Sequence, residues 1–179
     1  MNVYLHLKTI NHHKWLVMTH CFRLGLIRQG LLHDLSKYNP VELFPGCKYY
    51  TPGKSPHFKA RQELGLSEAW LHHKGRNKHH FEYWIDYEQK SKGLAGMKMP
   101  LRYVVEMFVD RMCACKNYYG EAYTCRSPWE YYERNKKYYL MHPDTQALLE
   151  ELLLMLRDEG EEKTFRYIRT RVLKGKRKY

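Results

Sequence analysis

Long apolar runs are missing from this sequence. The longest, from Leu148 to Leu156, is interrupted by two acids and is too short to cross a bilayer, so no membrane span and no membrane partner is expected. Cysteine is scarce and unpatterned. The five residues Cys21, Cys47, Cys113, Cys115 and Cys125 are an odd number with no CxxC pair, which speaks against a zinc finger or a disulfide framework and for reduced, mostly buried thiols. Strand-like alternation is rare, and no internal repeat occurs. The opening residues MNVYLHLKTINHHK hold no apolar stretch of the secretory type. The expectation is a soluble, cytoplasmic protein.

Acid is absent from Arg166 onward, where seven cations gather in a chain of net charge +12. A basic tail of this kind can hold nucleic acid through counterion release, and it can equally be a solvated, frayed terminus. Either way the segment from Lys174 to Tyr179 is expected to be separable from the fold.

At 179 residues, 44% of them hydrophobic, the chain suits one well-packed domain. Apolar positions recur at helical spacing nearly throughout, giving an all-α expectation. Helices are read over about residues 4–24, 26–33, 58–70, 81–89 and 101–118. Others start at Asn39-Pro40, Ser127-Pro128, Pro143-Asp144 and Glu161. Asn39 reads as an N-cap, Pro40 as the first helical residue and Glu42 as the partner that closes a capping box. The Pro/Gly-rich stretch 44–56 reads as a surface loop, and SKGLAGMKM (residues 91–99) as a linker. The organisation expected is a helical core over 1–125 with a C-terminal helical extension and basic tail over 126–179, in one compact domain.

Histidine is plentiful instead: eleven, mostly in the groups His12, His13, His20; His33; and His72, His73, His79, His80. Imidazole is the commonest side-chain metal ligand. His13 lies on the inward stripe of the first helix with Ile10 and Val17, about one helix away from His33-Asp34 in an antiparallel pair. Adjacent residues on a helix point about 100° apart, so His33 and Asp34 can share one ion only where the backbone leaves the helix or crosses another one. The helix-ending segment LSKYNP that follows allows this. With Asp110, mid-helix much later, the set offers nitrogen and oxygen donors suited to Fe, Mn, Co, Ni or Zn, and Mg also fits. Plainer readings exist for each member. His13 can be a hydrogen-bonded core residue and HHKGRNKHH a solvated basic turn. Asp110, opposite the Leu101–Val105–Phe108–Met112 stripe, can sit on a solvent face.

The order His13 … His33-Asp34 … Asp110, with the run LLHDLSKY, resembles the H…HD…D signature of the HD-domain metal-dependent phosphohydrolase superfamily. The stretch HHKGRNKHH is similar to the variant in which two further histidines hold a second metal, with a shorter gap between the pairs here. The chain also looks like small bacterial and phage proteins in which HDLSK precedes HH…N.HH and an E…D helix, matched by Glu106 and Asp110. The resemblance spans roughly residues 5–120 and implies an HD-type helical bundle. It implies one or two divalent metal ions on His13, His33, Asp34 and Asp110, joined by one of His72/His73 and one of His79/His80, with His73 and His80 favoured. Asp34 would bridge the ions, and Asp34 and Lys37 would act in catalysis. Lys37, Arg76, His72, His79 and Arg111 would face a small phosphorylated substrate, nucleotide or other. Two alternatives stand beside this hydrolase: a di-iron HD-type oxygenase, and a basic, non-catalytic module that binds nucleic acid or protein.

Overall fold

The computed structural model describes residues 2–179. Helix α1 (Val3–Arg23) begins where the Asn2 side chain accepts a hydrogen bond from the Leu5 amide at 3.0 Å. It ends at Gly25, whose φ of +77° suits glycine. Its buried stripe mixes Ile10, Val17 and Cys21 with three histidines seven residues apart: His6, His13 and His20. Seven residues are close to two helical turns, so all three imidazoles leave one face.

Helix α6 (Leu101–Tyr119) is the central element. Residues 104–109, Met112, Cys113 and Cys115 are all buried, because α1 lies against one side of it and α8 (Pro143–Glu159) against another. Five leucines of α8, at 148, 149, 152, 153 and 156, are fully buried in the same core as Val17, Phe108 and Met112. Helix α2 (Ile27–Leu32) packs on α1. Helices α3 (Pro40–Lys48), α4 (Pro56–Leu64) and α5 (Glu68–Lys74) form the far wall of the site, and α7 (Ser127–Asn135) lies across α6 and α8. The architecture is a mainly helical single domain. No helix among the described residues is long and apolar enough to cross a membrane.

Several expectations fail locally. The helix read over 58–70 is two helices, because Gly65 adopts φ +76° and Ser67 starts α5 by accepting from the Trp70 amide at 3.2 Å. Helix α3 runs to Lys48 through the expected loop. Tertiary packing prevails over Pro45 and Gly46, since a Cβ at Gly46 would stand 2.2 Å from His6 Nε2, so tightly does α3 press on α1. The helix read over 81–89 is a 3₁₀ turn, Phe81–Trp84, followed by strand β1 (Ile85–Glu88). The supposed linker is strand β2 (Gly93–Gly96), antiparallel to it, with Ile85 opposite Gly96. Residues 86–88 are exposed and offer no apolar stripe for a helix to bury. The hairpin ends where the Met141–His142 backbone comes so close that a Cβ on Gly96 would meet His142 N at 2.6 Å.

The C-terminal segment is not a frayed end. Helix α9 (Glu161–Tyr167) continues as a π-helical turn, Ile168–Val172, burying Phe165, Ile168 and Val172. Beyond it Tyr179 packs against the core, and Arg177 Nε donates to Glu151 Oε2 at 2.8 Å. The cysteines are free, with four of them buried.

Candidate metal centre

The centre is built where α2 stops. His33 leaves the helix with an extended backbone (φ −53°, ψ 127°), and Asp34 takes the left-handed region (φ 55°, ψ 25°) before a 3₁₀ turn, Leu35–Tyr38. These two residues are 1% and 3% exposed. The kink aims both side chains at one point, which a continuing helix could not do. Lys14 of α1 secures it, donating to the carbonyls of Leu31 (2.8 Å) and His33 (2.9 Å), groups a helix end leaves without partners.

Asp34 is the hub. Its Oδ2 lies 3.3 Å from His33 Nε2, 3.7 Å from His13 Nε2 and 2.6 Å from Lys37 Nζ. Its Oδ1 lies 3.3 Å from His73 Nε2 and 3.4 Å from His79 Nε2. On the first side Asp110 Oδ1 stands 2.9 Å from His13 Nε2 and 3.5 Å from His33 Nε2. Two donor groups result: His13, His33, Asp34 and Asp110; and Asp34, His73, His79 and His80. Within each, one ligand atom per residue lies within 4.8 Å of the others. A third grouping, His33, His79 and Glu106, overlaps both.

The histidine turn is two-faced. Arg76 and Lys78 are exposed, while His73, Asn77 and His79 are buried. Asn77 Nδ2 donates to the His73 carbonyl (2.8 Å) and to Ser36 Oγ (2.7 Å), tying the turn to the loop that carries Asp34. Asp110 faces inward, because α6 is covered on nearly every side and its outlying face looks onto the centre rather than onto solvent.

Electrostatics mark the same point. Burial works against charge throughout, yet the His33 pKa is held well above that of an ordinary imidazole by Asp34, Asp110 and Glu106. For Asp34, burial is likewise outweighed, here by His33, Lys37 and His73, and its carboxyl is held well below the usual range. His80 goes the other way, lowered by burial and by its neighbours His79 and His73. Three buried atoms, Asp34 Oδ1, His79 Nε2 and His80 Nε2, have no hydrogen-bond partner. Buried polar atoms are ordinarily paired. Unpaired ones converging from an aspartate and two imidazoles fit a divalent cation, so the buried His/Asp groups can hold a metal ion.

A cavity of about 590 Å³ opens onto the centre, within the range of small-molecule sites. Lys37 and Arg111 line it, as do His13, Asp34, His73, His80 and Asp110. His72, Arg76 and His79, expected at the substrate, do not. His72 Nδ1 is engaged by Glu42 Oε1 at 2.6 Å, Arg76 is on the outer side of its turn, and His79 is buried behind the wall beside His33. Two carboxylates were not expected at the site. Glu42, read as a capping residue, is 4% exposed, with its oxygens on His72 Nδ1 and His73 Nδ1. Glu106, noted for its motif spacing alone, is 5% exposed and lies 3.1 Å from His33 Nδ1 and 3.2 Å from His79 Nδ1. Its place four residues before Asp110 puts both acids on one helix face, which was a usable signal.

Residues 2–155 match the family described as "Family of unknown function (DUF5662)". The chain belongs to that family. Both donor groups, and Glu42 and Glu106 with them, fall inside the DUF5662 match. No curated protein and no solved structure matches the chain.

Proposed function

We propose that this chain is a metal-dependent phosphohydrolase of the HD type, acting on a nucleotide or other small phosphorylated compound. The observation that carries the reading is Asp34, whose two oxygens face separate donor groups at the inner end of a ligand-sized cavity. Divalent ions held by His13, His33, Asp34 and Asp110, and by Asp34, His73, His79 and His80, would supply Lewis acidity toward a phosphoryl oxygen and an attacking water.

The protein's own groups supply the rest. Lys37 Nζ, on Asp34 Oδ2, is the cation nearest the centre and offsets negative charge on the transferred phosphoryl group. Arg111 follows Asp110 on α6 and lines the same cavity. Its guanidinium lies 5.1 Å from the Tyr139 ring and Nη1 donates to the Tyr139 hydroxyl at 3.4 Å, holding a cation at the cavity wall for an anionic substrate. Trp70, Phe81 and Tyr131 give the cavity aromatic walls.

Elemental analysis and phosphatase assays on protein purified without chelator test the reading. Wild type should carry one or two equivalents of metal, and His33→Ala should lose the ion held with His13 and Asp110. Lys37→Ala should keep its metal while turnover of a phosphomonoester falls about 10²–10³-fold, as when one charge-stabilising donor is removed. Metal-free wild type, or loss of metal in Lys37→Ala, contradicts this assignment. Five imidazoles with carboxylates also suit iron, so a di-iron oxygenase is the second reading. Iron content with substrate-dependent O₂ uptake and no phosphatase activity would favour it. A metal-loaded protein inert in both assays would leave a binding module.

A further inference from the structure

We infer that Glu42 and Glu106 are positioning residues that turn the acceptor nitrogens of His73, His33 and His79 onto Asp34, making the centre accept a cation. The inference rests on the metal reading above and concerns how this chain prepares the site.

The geometry runs outward from Asp34. His73 Nδ1 lies 2.8 Å from Glu42 Oε2, and His72 Nδ1 lies 2.6 Å from Glu42 Oε1. A carboxylate accepts only, so each Nδ1 carries the proton and donates it. Glu106 Oε1 takes the same part for His33 Nδ1 (3.1 Å) and His79 Nδ1 (3.2 Å). With Nδ1 as the donor, a neutral imidazole presents a lone pair at Nε2. Those nitrogens point at oxygens: His73 and His79 Nε2 at Asp34 Oδ1, and His33 Nε2 at Asp34 Oδ2, all at 3.3–3.4 Å. In this buried site each contact needs positive charge between the two atoms, supplied by a proton on the imidazole or by a metal ion in its place. The unpaired state of Asp34 Oδ1 and His79 Nε2 is the same fact seen atom by atom. Outer carboxylates of this kind fix the tautomer and ring orientation of metal-binding histidines.

The two carboxylates work differently, and that separates a positioning role from simple charge. Glu42 uses both oxygens, one per histidine. A glutamine there offers one acceptor and one NH₂, and the NH₂ would confront a donor. Glu106 serves both of its histidines through a single oxygen, which a glutamine carbonyl reproduces.

Two measurements on the full chain test this. The first is competition for Zn²⁺ against a chromophoric chelator. Glu42→Gln should weaken the ion on the His73 side by about 10–100-fold, the range typical of lost outer partners, and leave the other ion in place. Glu106→Gln should lose clearly less. The second is imidazole ¹⁵N NMR on the metal-free proteins in mildly alkaline buffer. His73 should be the Nδ1–H tautomer in wild type and should switch to Nε2–H in Glu42→Gln, in a spectrum that also reports folding. Wild-type affinity and an unchanged His73 tautomer in Glu42→Gln overturn the inference, as does equal weakening in both variants. Wild type that takes up no ion removes the metal reading instead, and the metal-free tautomers then decide whether Glu42 sets the imidazole.

Discussion

Asp34 meets two demands, a left-handed backbone and a carboxylate shared by two donor groups. Left-handed geometry disfavours ordinary L-residues by about 1–2 kcal/mol, and aspartate and asparagine tolerate it best. Substitutions can therefore separate conformation from ligation. Asp34→Asn and Asp34→Ala should both lose metal, because both remove the anionic bridge. In urea melts of the metal-free proteins Asp34→Ala should be the less stable by about 1 kcal/mol. Equal stabilities would show that the φ of 55° carries no strain that asparagine relieves. At this scale the sequence was most informative where chemistry is specific. His13, His33, Asp34 and Asp110 are legible as an ordered set of ligand types, and the structure brings them together. Glu42 was illegible because a glutamate three residues after Asn39 has an equally good local use as a cap, and only the distant α5 supplies the histidines it serves instead. The choice within His79-His80 dissolves, since both nitrogens reach the same donor group.

Among the elements, the junction of α9 with α1 and α6 shows how a single acid can fasten three helices. Glu161 opens α9 directly after Gly160, and its carboxylate receives Arg23 and His20 from α1 and Lys116 from α6. Burial works against its charge, but the hydrogen bonds from His20, Lys116 and Arg23 outweigh burial and hold the pKa well below the ordinary glutamate value. A depressed folded-state pKa gives stability that is present above the unfolded value, about 4.3, and is lost as pH falls below it. Glu161→Gln should therefore destabilise the protein by about 1.5–3 kcal/mol near neutral pH, the scale of a charge-assisted hydrogen bond. The gap to wild type should narrow in urea melts at about pH 3. A gap independent of pH would place the effect in packing. Helices such as α1, α6 and α8 were legible because their apolar period is long and unbroken. The β1–β2 hairpin was not. Its strands are four residues each, none of them buried, and held by a close backbone approach at Gly96 that no local pattern announces.

For the molecule as a whole, the last residues belong to the fold although the DUF5662 match stops at residue 155. The Met99 amide donates to Thr145 Oγ1 at 3.1 Å, and Thr145 Oγ1 lies 3.0 Å from the Tyr179 hydroxyl, which donates to the Met99 carbonyl. The three bonds close a ring that joins the segment before α6, the first turn of α8 and the chain's final residue. Met99 and Thr145 are buried, so breaking the ring strands polar groups away from water. Lys98 Nζ, 4.5 Å from the Tyr179 ring centre, covers its outer side. Composition could not announce this, because a run of lysines and arginines reads as solvated whether or not one aromatic at its end is anchored. Tyr179→Phe keeps the ring packing and removes only the hydroxyl, and should lower stability by about 1–3 kcal/mol, as for other unpaired buried polar groups. Deleting Lys174 to Tyr179 also removes the Arg177–Glu151 pair and the aromatic contact, and should lower it further. Neither change touches a donor of the metal centre, so metal content should equal that of wild type in both. Chemical melts alongside elemental analysis decide the matter: a deletion as stable as wild type would return the tail to a free basic extension, and metal loss in a folded Tyr179→Phe would mean that the closure of the C-terminus reaches Asp34 through α6.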